Sequence, residues 1–180
     1  MSVVRDVAIN QTGCAIIADA GNSLCWTAHH LKFPKPGLYR SNLDSSPMAH
    51  AVCGVVGMGL ADKPAIPIVG DGAMLMQSEV SNAVQYRSKA IWLVMNDSRY
   101  GICGQVPRMW GNIPPPCCIP YTDFALLARA VGCDGYTATT GEELREALEE
   151  AMVRNGPTVI NVTIDPSAVA PRNRTTERDT

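Results

Sequence analysis

The chain has 180 residues, 46% of them apolar, with mean hydropathy +0.01 and a net charge of −2 from 15 basic and 17 acidic residues. A domain of that size buries a sizeable core, and so even a charge balance leaves no electrostatic footprint for nucleic acid or an anionic membrane surface. No apolar run approaches the ~20 residues that span a bilayer, and the opening MSVVRDVAINQTG has neither a basic n-region nor an apolar h-region, so the expected compartment is the cytoplasm, with no membrane partner.

Along the chain, short apolar runs alternate with segments of helical period. Cys14 to Ala18 reads as a strand and Ser23 to Leu31 as a short helix. Met48 to Leu60, rich in Ala, Gly and Val, reads as a tightly packed helix carrying Met48 and His50 at its start. Ile66 to Val69 is the next strand, although Pro67 suits a central strand only at its beginning. Gln77 and Ser78 open a helix whose apolar positions Val80, Ala83 and Val84 fall on one face. Ala90 to Met95 follows as a strand. The prolines between Gly101 and Pro120 predict a shaped loop without an interior helix. Asp123 to Val131 is helical, and Thr140 caps GEELREALEEAMVR, which ends at Asn155-Gly156-Pro157. Thr158 to Ile164 is the last strand. Residues 1–165 therefore form a single α/β domain, a parallel sheet with helices on both faces, and 166–180 a polar C-terminal tail.

Seven cysteines (Cys14, Cys25, Cys53, Cys103, Cys117, Cys118, Cys133) are an odd number without a C-x-x-C pair. They read as reduced thiols rather than metal or iron–sulfur ligands.

In such a sheet, ligands bind off the carboxyl ends of the strands. Three acidic residues sit there: Asp19 before Gly21-Asn22-Ser23, Asp71 within Gly70-Asp71-Gly72, and Asp97 after Asn96. The glycines permit sharp turns that expose backbone N–H groups, and the helices opening at Ser23 and Ser78 present positive ends to an anion. Two hard carboxylates, Asp71 and Asp97, with a backbone carbonyl just beyond, suit Mg²⁺ shared with phosphate oxygens. The expected ligand is an Mg²⁺-bound diphosphate. Taken singly, Asp71 is also ordinary turn chemistry, Asp97 a cap on a strand-to-loop turn, and Met48 a core residue.

These residues resemble the thiamine diphosphate-dependent enzymes, whose cofactor motif is Gly-Asp-Gly followed further on by an Asn pair; here it reads Gly70-Asp71-Gly72 through Asn96-Asp97. DAGNSLCW, SSPMAHAVCGVVG, DFALLARAVG and GPTVINVTIDP match further segments in order, so the resemblance covers nearly the whole chain. It is to the diphosphate-binding domain of the acetolactate synthase-like branch, which normally forms the C-terminal third of a longer polypeptide. The resemblance implies that Asp71 and Asp97 bind Mg²⁺ through side chains and Arg99 through its carbonyl. Gly21, Asn22, Ser23, Gly70, Gly72, Ala73, Tyr100, Gly101 and Ile102 would surround the cofactor, and Met48 would support its thiazolium ring. His50, in the same Ala/Gly-rich helix beside Met48, is by its position a candidate to face the substrate. Asp97 departs from the family's second Asn and should tighten metal binding by its added charge, and the segment from Gly72 to Glu79 is one residue shorter than usual.

The implied chemistry is decarboxylation of a 2-oxo acid on thiamine diphosphate, then ligation of the resulting enamine to a second carbonyl. Simple decarboxylation of the sulfopyruvate or phosphonopyruvate type is the alternative, and a noncatalytic cofactor-binding module is another. The resemblance also implies a partner, a pyrimidine-binding-domain subunit whose glutamate activates the cofactor, and hence a hetero-oligomer. The chain begins too close to its first strand to hold that domain, and Glu79, Glu142 to Glu150 and Glu177 are misplaced for the task. Arg108 and Trp110 in the Pro-rich segment offer a cation and an apolar plane to an aromatic or carboxylate substrate, with Gln105 beside them, and plain loop packing explains all three equally well.

Overall fold

The computed structural model describes residues 1–63, 65–76 and 79–171. The expected helix opening at Gln77 and Ser78, and most of the tail, lie outside them. Six parallel strands form one sheet: β1 (Ala15–Ala18), β2 (Tyr39–Ser41), β3 (Ala65–Gly70), β4 (Ile91–Asn96), β5 (Asp134–Ala138) and β6 (Thr158–Thr163), in the order β2-β1-β3-β4-β6-β5. Alternate residues of the central strands feed two separate cores. Ile17, Val69, Trp92, Val94 and Val159 pack with helices α3 (His50–Leu60), α5 (Glu79–Tyr86) and α7 (Phe124–Ala130). Ile16, Ile66, Ile68, Leu93 and Ile160 pack with α8 (Gly141–Val153) and an N-terminal helix, α1 (Ser2–Val4), continued as a π-helical stretch over Arg5–Gln11. This period-two division places helices on both faces, as the fold class requires.

Three elements carry no clear signal in the sequence. The N-terminal helix buries Val4, Val7, Ala8 and Ile9. The strands β2 and β5 lie at the sheet edges, where the half-exposed runs YRS and DGYTA carry little apolar pattern. Pro67 sits inside β3, not at its start, with Ile17 as its partner on β1. The carbonyl of Ile68 accepts from Asp19 N–H on the β1 side, so Pro67 directs its backbone toward β4. That ladder begins only at the Ile68–Leu93 pair, and the missing N–H falls before it.

The segment from Gly101 to Pro120 is not a loop throughout: Gly101–Met109 forms helix α6, with Pro107 inside it. Only one proline falls in that stretch, and the helix ends two residues later, before the loss of one N–H matters much. Pro114, Pro115, Pro116 and Pro120 all follow Gly111, where the chain forms no helix. Cys118 bridges antiparallel to Arg99, with Tyr100 N–H donating to Cys117 O at 2.8 Å and Ile119 N–H to Ser98 O at 2.8 Å. The capping box at Thr140 is present, the hydroxyl accepting from Glu143 N–H and Glu143 accepting from Thr140 N–H, both at 3.2 Å. No helix among the described residues is long and apolar enough to cross a membrane.

Two consequences are testable at the level of the fold. Trp92 is fully buried and its indole N–H donates to Val52 O at 3.0 Å. Trp92→Phe removes that bond and opens a cavity, and is expected to cost about 1–3 kcal/mol; an unchanged urea midpoint would place the indole outside the core. The cysteines are all free thiols among the described residues. Cys103 and Cys118 are exposed and should react promptly with a thiol reagent, and Cys53, exposed but with its thiol pushed up by burial and by the Glu79 and Asp19 charges, more slowly. Burial pushes Cys14 and Cys133 up to about 12, so both should react only on unfolding. Rapid modification of Cys14 or Cys133 in the folded protein would contradict this packing.

Candidate functional site

The site is built where β3 and β4 end side by side. Gly70 closes β3, and Asp71 opens the short helix α4 (Asp71–Met74). Asp71 is only 3% exposed, and its carboxylate stitches two turns together: one oxygen accepts from Gly72 N–H at 2.7 Å, the other from Arg99 N–H at 3.2 Å. Asn96, the last residue of β4, turns inward. Its amide donates to Asn161 Oδ1 and to Thr122 O, each at 2.9 Å, while its oxygen accepts from Ser98 N–H at 3.3 Å. Ser98 takes a positive φ of 56°. The inward anchor and the sharp turn leave Asp97 facing the cavity. Asn161 in the apolar run TVINVT was the one available signal for this network, since an uncompensated amide in a buried strand is costly.

Asp71 and Asp97 stand close enough to repel. Burial, opposed by the bonds from Gly72 and Arg99, holds the Asp71 carboxyl above the usual carboxylate range. Burial first, and then the Asp71 charge, push Asp97 up to about 6, against the pull of Arg99, whose Nε lies 3.9 Å from Asp97 Oδ2. A divalent cation between the two carboxylates would remove the repulsion. No group of three or more His, Cys, Asp or Glu among the described residues is arranged to hold a metal. An ion here must therefore complete its shell with other oxygens. The Arg99 carbonyl accepts one hydrogen bond, from Gly101 N–H at 3.0 Å, and keeps a lone pair. Two carboxylates, a carbonyl and phosphate oxygens fit Mg²⁺, which takes few protein ligands.

Every residue expected at the cofactor or the metal lines one cavity of about 740 Å³: Gly21 to Ser23, Met48, Gly70 to Ala73, Asp97, and Arg99 to Ile102. The first residues of α2 (Asn22–His30) and of α6 line it. Two glycines let side chains of the wall come close. A Cβ on Gly72 would clash with the edge of the Tyr100 ring and lie 3.3 Å from Met48 Cε, and one on Gly101 would lie 2.8 Å from Asn22 Nδ2. Asn22 Oδ1 is buried with no hydrogen-bond partner, an orphaned acceptor at the wall that a bound cation or donor would satisfy. The cavity continues past Trp26, His30, Leu144, Val162 and Ile164, an apolar extension that no sequence motif announces. Trp26 and His30 stack with centroids 5.3 Å apart.

Several expectations need correction. Met48 is not in a helix: α3 starts at His50, and Ala49 takes φ 69° and ψ 2° between them. His50 accordingly stands at the helix's first position, and it does not line the cavity. Its Nδ1 lies 2.9 Å from Pro47 O and 3.7 Å from Asp19 Oδ2. Asp19, expected beside Asp71 and Asp97, is turned inward and wholly buried, with both oxygens accepting from backbone N–H groups. Trp110 is 77% exposed and lines neither this cavity nor the neighbouring one. That second cavity, about 910 Å³, is walled by Gln105, Arg108, Pro114 to Cys118 and Pro166 to Val169. Gln105 serves packing there, donating to Ala170 O at 2.9 Å and accepting from Ala170 N–H at 3.1 Å.

Residues 19–162 match the family described as thiamine pyrophosphate enzyme, C-terminal TPP binding domain. The chain is 34% identical over 170 residues to the "Putative acetolactate synthase large subunit IlvB2" of Mycobacterium tuberculosis, which covers 93% of this chain and 30% of that protein. It is 32% identical over 144 residues to 3D-(3,5/4)-trihydroxycyclohexane-1,2-dione hydrolase of Halalkalibacterium halodurans, covering 74% of this chain and 23% of the relative. Among solved structures, the thiamine diphosphate-dependent 4-hydroxybenzoylformate decarboxylase of Rhodococcus jostii superposes with TM-score 0.80 at 23% identity, covering 92% of this chain and 32% of the other. The fold is therefore that of the diphosphate-binding domain in such proteins, and the chain spans less than a third of the length of these curated relatives.

Proposed function

The chain belongs to the thiamine pyrophosphate enzymes, as a C-terminal TPP-binding domain, and on that premise we propose that it is the diphosphate-binding subunit of a split carboligase. In this reading the enzyme decarboxylates a 2-oxo acid and joins the remaining acyl unit to a second carbonyl, as an acyloin or acetolactate synthase does. The observation that carries it is the gathering of the paired carboxylates, the two glycine approaches and Met48 at one cavity.

Asp71, held by the Gly72 and Arg99 amides, would bind Mg²⁺ with Asp97 and the Arg99 carbonyl. Gly72, Ala73 and the first turn of α2 would face the diphosphate. Met48 would carry the thiazolium side of the cofactor. When bound, thiamine diphosphate supplies the electron sink for loss of CO₂ from the substrate. The acidic residues lining the cavity, among the described residues, are Asp71, Asp97 and Asp165. Asp165 is exposed and occupied, accepting from Ser167 N–H at 2.8 Å and Ser167 Oγ at 2.7 Å. With no glutamate among the described residues of the cavity wall, the activating glutamate is proposed to arrive from a pyrimidine-binding domain on another polypeptide, giving a hetero-oligomer. The name of the relative at 34% identity supports ligation over simple decarboxylation.

The test is a product assay on a panel of 2-oxo acids with the chain and its pyrimidine-domain partner, with and without an added aldehyde or 2-oxo acid acceptor. Ligated hydroxy-ketone or acetohydroxy acid is expected. Aldehyde as the sole product would replace this reading with a decarboxylase of the sulfopyruvate or phosphonopyruvate type. Cofactor binding without any turnover would leave a noncatalytic binding module.

A further inference from the structure

We propose that Asp19 is a positioning residue that sets the height of Met48 over Gly72 by holding Ala49 in a left-handed backbone conformation. Met48's contact with the cofactor belongs to the functional reading above; the way Met48 is held is independent of it.

Asp19 follows β1 directly and is 0% exposed. A carboxylate there is tolerable only if its oxygens are fully engaged. One oxygen accepts from Ala20 N–H at 2.8 Å and Ala49 N–H at 3.0 Å, the other from Ala51 N–H at 2.9 Å. The bonds to Ala49 and Ala51 straddle His50, so one side chain grips the backbone on both sides of the first helical residue. His50 Nδ1 lies 3.7 Å from the same carboxylate and 2.9 Å from Pro47 O, closing the turn from the other side.

The gripped residue is in an unusual state. Ala49 has φ 69°, a region that alanine seldom enters because its Cβ crowds the following carbonyl. Without a restraint, residue 49 would return to negative φ and swing Met48 away, since α3 itself is fixed by Ala51, Val52 and Val55, all 0% exposed. Local capping of α3 needs only a Ser, Thr or Asp at the preceding position. Here the cap comes from a strand end 30 residues earlier in the chain, which ties the Met48 turn to the sheet instead of to the helix. The result is seen at Gly72, where Met48 Cε and the Tyr100 ring both approach the point that a Cβ would occupy.

The experiment is methyl NMR on the 180-residue chain carrying ¹³C-methyl methionine, with Met48 identified by the resonance that disappears in Met48→Leu. The parent should show nuclear Overhauser effects from the Met48 methyl to the Tyr100 ring and the Gly72 α protons. Asp19→Asn places an amide N–H against a backbone N–H and should abolish them. Asp19→Asn/Ala49→Gly should restore them, because glycine adopts the left-handed state unaided. A merely structural cap would leave the double variant as impaired as the single one. Overhauser effects that persist in Asp19→Asn, or that vanish there and stay absent in the double variant, overturn the proposal. Should Asp19→Asn not fold, Asp19→Asn/Ala49→Gly decides by itself: Overhauser effects present in it support the proposal, since glycine supplies the backbone state that Asp19 otherwise holds, and their absence overturns it. Adding thiamine diphosphate and Mg²⁺ to the parent with its partner separates the two readings. A Met48 methyl that the cofactor leaves unmoved sinks the cofactor contact while the positioning result stands.

Discussion

Asp71→Ala should abolish Mg²⁺-dependent binding of thiamine diphosphate, with a loss of at least ~100-fold in affinity, since removal of even an outer-shell partner of a metal site costs ~10–100-fold. The carboxylate is asked to do two things. With Asp97 it supplies the negative charge facing an ion that must bridge protein and diphosphate, and it organises the site by accepting from Gly72 and Arg99 N–H groups. Alanine leaves both N–H groups unpaired in a buried place, which costs about 1–3 kcal/mol for each. Asp71→Asn separates the roles, because the amide keeps an acceptor and the shape but loses the charge. It should fold with a melting temperature a few degrees below the parent's, because one of the two N–H groups then faces the amide NH₂, and should still bind Mg²⁺ poorly. The measurement is calorimetric titration of thiamine diphosphate with and without Mg²⁺, in the presence of the partner subunit. Parent-like affinity in saturating Mg²⁺ for either variant would mean that the metal site lies elsewhere.

The chain alone should turn over a 2-oxo acid at no more than about one-hundredth of the rate reached with a separate pyrimidine-domain polypeptide, since a missing general acid–base contact removes ~10²–10⁴-fold. Among the described residues no glutamate lines the cavity wall to serve that contact. Met48 and Tyr100, which line the cavity, and Leu75 and Met76, which follow α4, are exposed apolar side chains. A partner seated on them would bury apolar surface and complete the proton relay together. The comparison is of initial rates of CO₂ release with each polypeptide alone and with both. Undiminished turnover by this chain alone would refute the split arrangement.

Much of this architecture is legible in the residues themselves. Strands β1, β3, β4 and β6 are apolar runs that only a doubly covered sheet can bury, and α7 and α8 carry their own start signals in Asp123 and Thr140, both of which accept the expected N–H. Asp71 and Asp97 follow β3 and β4 for the same reason. In a parallel sheet neighbouring strands end on the same edge, so Gly-Asp-Gly and Asn-Asp were bound to meet. Five prolines from Gly101 to Pro120 argue against a helix when taken together, yet α6 forms because a helix responds to where each proline falls and only Pro107 lies within it.

Side-chain direction was decided by tertiary structure. Asp19, Asp71 and Asp97 are alike in sequence, one carboxylate after each of three strands, yet only two face the cavity. Asp19 is drawn inward because the N-terminus of α3 arrives beside β1 with N–H groups that need acceptors, and no local pattern announces which helix will land there. The same docking puts Ala49 in a left-handed state and takes Met48 out of the helix that its neighbours predicted. The sequence by itself determined the four central strands, the capped helices and the edge on which the strand ends gather, because burial and hydrogen bonding act through local period and caps. Which of the gathered groups turn toward the ligand was settled only when distant backbone donors competed for them.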